Sequence, residues 1–295
     1  MISNIKDKIL GCLYGQAVGD ALGLGTEFMT KTNVLSSYPD GLRRFEQIVR
    51  NAYAEMWQPG EWTDDTDMML CILRSFDGEF FDIDRIVSNF INWLENNPRG
   101  IGDYISNVIS QEDYIDQPEI CSKYEWILSD RESAPNGALM RTSIVGLPKN
   151  YSKTQSEAIC KLTHFDPRCV GSCVIVTEII HNLVWNNRSL SYDEIVSLGR
   201  KYDDRIEEWI NLAYDNSEIS ALDLDDSKSM GYTLRALSAG LWSYWYAPSF
   251  EIGLLTIVNE GSDADTNAAI ACSILGAKFG YSSIPDYYVN NLSSN

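Results

Sequence analysis

The stretch Trp62-Thr63-Asp64-Asp65-Thr66-Asp67-Met68-Met69-Leu70-Cys71-Ile72-Leu73-Arg74-Ser75-Phe76 decides how the chain is read. Thr63 is a favourable N-cap, carboxylates follow it where a helix dipole welcomes them, and the run from Met68 to Phe76 continues a helix. The same period recurs outward in both directions. Ile5, Ile9 and Leu13 stand at i, i+4, i+8. Ile86, Phe90, Trp93 and Leu94 make one face, and Leu234, Leu237, Leu241 and Trp245 another. Val174, Val176, Ile179, Ile180, Leu183 and Val184 read as a mostly buried helix, and residues 267–279 are small and apolar, suited to close helix packing. β-branched runs are short and sit inside helical periods. Breakers at 39–41, 59–60, 98–102, 135–137, 148–150, 166–167, 223–227 and 248 divide the chain into roughly a dozen helices. With no linker, low-complexity tract or repeat, the expectation is one compact all-α domain over residues 1–295.

The chain has 295 residues, ample for a buried core, and 44% of them are hydrophobic. With 42 acidic against 23 basic side chains, the formal charge is −19. Such a surface repels phosphate backbones and anionic lipid, which argues against non-specific nucleic-acid binding. The aromatic group Trp242, Tyr244, Trp245 and Tyr246 therefore reads as packed core or subunit interface rather than a base-stacking platform. Seven cysteines with no Cys-x-x-Cys pair read as free, buried thiols of a reducing compartment. His164, Cys169 and Cys173 do not have the spacing of a zinc finger and lack a fourth ligand. No segment reads as a membrane span. Residues 9–25 are apolar, but Asp7 precedes them and Asp20 interrupts them, without the basic flank of a signal peptide. The expectation is a cytoplasmic protein, monomeric by default.

Three carboxylates and two hydroxyls in residues 63–67 exceed what a helix start needs, because adjacent buried carboxylates repel unless a cation lies between them. A second cluster, Gly261-Ser262-Asp263-Ala264-Asp265-Thr266, also precedes an apolar helix. Together they form an all-oxygen set suited to Mg²⁺, Mn²⁺ or Ca²⁺. The competing account is a pair of ordinary capped helices. Glu27, in a glycine-rich turn, is a solvated residue by itself and a candidate general acid or base beside a two-metal centre. His164 lies at a break between helices and alone reads as a capped or packed imidazole, and His181 on the flank of an apolar helix is structural.

The chain resembles the ADP-ribosylglycohydrolase family, which includes the dinitrogenase-reductase-activating glycohydrolases. The resemblance rests on Gly11-x3-Gly15-x-Ala17-x-Gly19-Asp20-Ala21-Leu22-Gly23 with Glu27, then Thr63-Asp64-Asp65-Thr66, Asn136-Gly137-Ala138-Leu139-Met140-Arg141, Thr163-His164-x2-Pro167, and Gly261-Ser262-Asp263-Ala264-Asp265-Thr266-x2-Ala269 with Gly276-Ala277 and Gly280. It implies an all-α fold around a central cleft with two Mg²⁺, Mn²⁺ being an alternative. It implies Thr63, Asp64, Asp65, Asp263, Asp265 and Thr266 as metal ligands, Glu27 at the scissile bond, and Ser133, Asn136, Gly137 and His164 beside the ribose and diphosphate. The activity implied is hydrolysis of the N- or O-glycosidic bond joining ADP-ribose to an acceptor, foremost ADP-ribosylarginine on a protein, with small ADP-ribose conjugates as other substrates. The alternatives are a non-catalytic ADP-ribose binder and an immunity protein that blocks an ADP-ribosyltransferase toxin. Two departures stand out. Gly100 occupies the position of an acidic residue in many relatives, with Asp103 three residues on, and Ser262 replaces the second glycine of a common pair.

Overall fold

The computed structural model describes residues 2–293. The chain folds through α1 (Ile2–Gly23), α2 (Lys31–Ser37), α3 (Asp64–Leu73), α4 (Ile83–Glu95), α5 (Asp103–Ile109), α6 (Pro118–Leu128) and α7 (Lys153–Lys161). It continues with α8 (Pro167–His181), α9 (Tyr192–Gly199), α10 (Arg205–Asp215), α11 (Thr233–Tyr246), α12 (Phe250–Val258), α13 (Ala264–Phe279) and α14 (Asp286–Asn290). Among the described residues, extended pairing is limited to three isolated bridges. The all-α expectation holds.

Helix α13 is the axis of the molecule. It is buried from Ala264 to Ala277 and packs against α1, α11 and α12. Its neighbour α1 runs antiparallel and meets it through glycines four residues apart. A Cβ at Gly11, Gly15, Gly19 or Gly23 would stand 2.3, 2.3, 2.2 or 2.4 Å from the carbonyl oxygens of Gly276, Cys272, Ala268 and Ala264. Residues at i and i+4 share a helix face, so the glycines form one stripe and the small residues of α13 form its counterpart. Two helices from opposite ends of the chain therefore touch backbone to backbone. This contact carries the end of α1 to the start of α13.

The apolar stretch Pro167–Asn186 corrects one sequence expectation. With 20 residues and a mean hydropathy of 1.3 in its window, it has the length and composition of a membrane span. It is apolar because it lies in the core, where 78% of that window is buried. Trp242 and Tyr244 are buried and Trp245 stacks edge-on to Tyr214 at 5.0 Å, the packed-core reading of the aromatic group. All seven cysteines are buried and unbridged.

The glycine stripe makes a stability prediction. Gly19→Ala drives a methyl into the Ala268 carbonyl, and two helix backbones must separate to admit it. It should destabilise the protein by about 3 kcal/mol in denaturant unfolding, within the usual range for overpacking. Gly102→Ala is the control, since a Cβ there meets nothing within 4 Å. Equal midpoints for the two variants would refute the close-contact account.

Candidate active site

The site begins with Asp20, near the end of α1. Its side chain is fully buried and accepts from Thr63 N at 2.9 Å, Thr66 N at 3.0 Å and Thr66 Oγ1 at 2.6 Å. Thr63 occupies the N-cap position of α3 with extended backbone, yet its side chain makes no capping bond. The expected local cap is thus supplied by a residue 43 positions away. That arrangement frees Thr63 Oγ1 to face Asp65, at 3.4 Å from Oδ2. Asp67, the third acid of the cluster, turns aside and accepts from the indole nitrogens of Trp62 and Trp93.

The second cluster arrives on α13. Asp263 is its N-cap residue, and Asp265 and Thr266 lie in its first turn. Thr266 Oγ1 stands 3.3 Å from Asp65 Oδ2, joining clusters 201 positions apart. Asn136 donates Nδ2 to Asp263 Oδ2 at 2.5 Å. Glu27 comes from the turn after α1. Phe28 N donates to Ser262 O and Ser262 N to Met29 O, each at 2.7 Å, so the Glu27 segment and the loop before α13 clasp each other. Phe28, Gly261 and Ser262 hold φ of 61°, 81° and 62°, a left-handed backbone that glycine adopts most readily. Ser262 is buried in this clasp, and its departure from a double glycine is a matter of backbone shape.

A cleft of about 480 Å³ opens over these groups. Glu27, Asp64, Asp65, Asp263, Asp265, Thr266, Asn136, Gly137 and His164 all line it. Thr63 lies one contact behind, through Asp65. Ser133 does not line the cleft; it is half-buried, with its N–H on Ser129 Oγ at 3.3 Å. Tyr53, Tyr104, Gly231 and Phe28 join the lining without having been singled out in the sequence. Phe28 is exposed at the rim and meets Tyr53 edge-on at 4.9 Å. Gly100 has φ 79°, and a Cβ there would lie 3.3 Å from Asp64 Oδ1 and 3.2 Å from the Tyr53 hydroxyl. Asp103 also borders the cleft.

The electrostatics of the cluster are those of concentrated negative charge. Burial, then Asp265 and Asp263, hold the Glu27 carboxyl well above its ordinary range. Burial and neighbouring aspartates do the same to Asp64 and Asp65. Asp265 is pushed up to about 8 by burial, Asp263 and Asp20. Burial raises Asp263 against the hydrogen bond from Asn136, and Asp20 is raised by burial to about 6 despite its threonine donors. Burial and the charges of Glu27 and Asp265 also hold the Tyr53 phenol above its ordinary value. Glu27 Oε2 and Asp65 Oδ1 are buried with no hydrogen-bond partner. Buried acceptors and mutually repelling carboxylates fit a divalent cation, and the donors are oxygen throughout. Among the described residues, no three His, Cys, Asp or Glu side chains close into a finished metal cage. Cys169, part of the rejected zinc reading, instead directs its thiol to the Pro135 carbonyl.

The model of the ADP-ribosylglycohydrolase family matches residues 1–294. An ADP-ribosylarginine hydrolase, Tri1, of Serratia proteamaculans is 29% identical over 98% of this chain and 76% of its own length. The ADP-ribosyl-[dinitrogen reductase] glycohydrolase of Rhodospirillum rubrum is 27% identical over 98% of this chain and 91% of its own. A solved ADP-ribosylglycohydrolase-related protein complex shares the fold, with a TM-score of 0.75 at 21% identity, covering 99% of this chain and 94% of the other. With five separate motifs gathered on one cleft and the family model spanning nearly every residue, the chain belongs to the ADP-ribosylglycohydrolase family, whose members hydrolyse glycosidic bonds.

Proposed function

We propose that this chain hydrolyses the N- or O-glycosidic bond between ADP-ribose and a modified acceptor, foremost ADP-ribosylarginine on a protein, with two Mg²⁺ as cofactors; Mn²⁺ suits the same donors. The observation that carries this reading is the meeting of Asp65 with Thr266. It turns two distant acidic clusters into one buried oxygen-lined floor. Thr63, Asp64, Asp65, Asp263, Asp265 and Thr266 would hold the ions, with water or substrate oxygens completing the coordination of an open site. Bound there, divalent cations would neutralise the floor and act as Lewis acids toward ribose oxygens. The named relatives acting on ADP-ribosylarginine and on dinitrogen reductase support the substrate class.

The chain's own residues account for the rest. Cleavage at the anomeric carbon builds positive charge on the ribose, and a floor of carboxylates favours that charge. Glu27 sits where its protonated form can give a proton and its ionised form can take one from water. Asn136 braces Asp263, and Gly137 keeps the wall low beside His164. Phe28 and Tyr53 offer apolar and aromatic surface at the mouth for the adenine or the acceptor side chain.

Release of ADP-ribose from an arginine-ADP-ribosylated protein, with Mg²⁺ and with chelator, tests the proposal. Asp263→Ala should lower kcat/KM for Mg²⁺-dependent release at least about 100-fold, beyond the roughly 10–100-fold that loss of a partner behind a metal ligand costs, with the helical circular dichroism kept. Wild-type turnover in that variant would end the two-metal account. Glu27→Gln should lower kcat by roughly 10²–10⁴-fold, the usual share of general acid–base catalysis, while Mg²⁺ affinity changes little.

A pH prediction follows from the raised carboxyls. In metal-free protein the folded state holds protons that the unfolded chain has already released, so stability is greatest below the unfolded carboxyl range and falls as pH rises toward the Asp265 value of about 8. The melting temperature of metal-free protein should therefore drop between about pH 5 and pH 8. Added Mg²⁺ should raise it more at pH 8 than at pH 5, because ion and proton compete for the same oxygens. A metal increment that is flat or inverted across that interval would count against the ligand set.

A further inference from the structure

His164 stands at the end of a hydrogen-bond relay that starts on a buried arginine. Arg141 has no exposed surface. Its Nη1 donates to the Gly137 carbonyl at 3.0 Å, its Nη2 to Thr163 Oγ1 at 2.5 Å, and its guanidinium lies 4.6 Å over the Phe90 ring. Thr163 Oγ1 is 2.7 Å from His164 Nδ1. The other ring nitrogen, Nε2, is buried and without a partner. It borders the cleft at Gly137, where an added Cβ would stand 3.2 Å away. Tyr104 packs against the ring at 4.9 Å between centroids.

The direction of this relay follows from finding an acceptor for every proton in it. A guanidinium only donates, so Thr163 Oγ1 accepts from Arg141. Oγ1 keeps a second lone pair, but its one proton needs an acceptor, and of its two hydrogen-bond partners only Nδ1 can take it. A neutral imidazole that accepts at Nδ1 carries its proton on Nε2. A second ring proton is opposed by burial and by the Arg141 charge, which together hold His164 well below its ordinary value.

We propose that Arg141 and Thr163 are positioning residues that lock neutral His164 in its Nε2–H tautomer, giving the cleft one fixed hydrogen-bond donor for an acceptor oxygen of the substrate. The proposal rests on the reading of the cleft as the site of an ADP-ribosyl group, whose ribose and diphosphate supply such oxygens. The tautomer has a second effect. With Nε2 protonated, the ring shows the cleft no lone pair, so it stays out of any cation's coordination and the floor remains all oxygen. Imidazolium in this acid-lined space would be drawn into ion pairs; a neutral donor is not.

The chain has two histidines, so ¹⁵N-detected imidazole spectra of the whole protein contain two rings, separable with His181→Gln. Wild-type His164 should show a protonated Nε2 and an unprotonated Nδ1. Thr163→Val removes the hydroxyl at nearly constant volume. It should abolish that fixed pattern and raise KM for an ADP-ribosylated substrate roughly tenfold, the worth of one hydrogen bond, with kcat changed less. Thr163→Ser should restore both. A protonated Nδ1 in wild type, or an unchanged ring pattern and KM in Thr163→Val, would overturn the relay. If Thr163→Val does not fold, the wild-type and Thr163→Ser spectra decide the tautomer. A protein that neither binds nor hydrolyses ADP-ribosyl compounds would instead sink the reading of the cleft, while the ring spectra still report on the lock.

Discussion

Between α1 and α13 there is no room for a methyl group. Four glycines of one helix lie against four carbonyls of the other, and everything chemical in the molecule follows from that approach. It brings the end of α1, with Asp20 and the Glu27 turn, beside the start of α13, with Asp263, Asp265 and Thr266. Asp20 then draws in the start of α3 by capping it from outside. Three helix termini meet, and their polar first and last turns are what a buried carboxylate floor needs around it.

The floor is unstable as bare charge. Carboxylates that water would solvate are here covered by protein and face one another, and proton uptake is the relief available without a cation. Function and instability thus have one origin. The groups that make the cluster costly to bury are those that would grip a divalent ion and favour a cationic sugar. His164 is kept outside this balance by its neutral ring, and Asp67 by two indoles that turn it away.

Much of this was legible in the residues. Helical periods, the breakers and the small apolar stretch 267–279 identified an all-α fold and a close packing helix. Both acidic clusters announced themselves by local excess of charge. Action at a distance leaves no such local mark. Thr63 had every local mark of a cap, yet the bond is made by Asp20, because a carboxylate from the neighbouring helix can take two backbone donors and one hydroxyl at once. Tyr53 and Phe28 carry no motif and reach the cleft only through the path of a loop. Ser133, named through the family resemblance, is half-buried outside the cleft lining, with its N–H on Ser129 Oγ. Residues 167–186 are ambiguous by composition, because a core helix and a membrane helix share it and differ in what surrounds them.

The pairing of first helix with penultimate helix also bears on how the chain acquires its shape during synthesis. α1 leaves the ribosome well before α13, and the face it is built for does not exist until α13 follows. Its partner surface is a backbone, so no cluster of large side chains elsewhere can stand in for it. Local helices can form early, but the contact that joins residues 11 and 276 closes everything between them as one loop, the slow kind of step in folding. The acidic floor is completed in that same closure, because Asp263, Asp265 and Thr266 belong to the start of α13. Asp20, Asp64 and Asp65 can gather once α1 and α3 exist, and their counterparts Asp263 and Asp265 wait for α13.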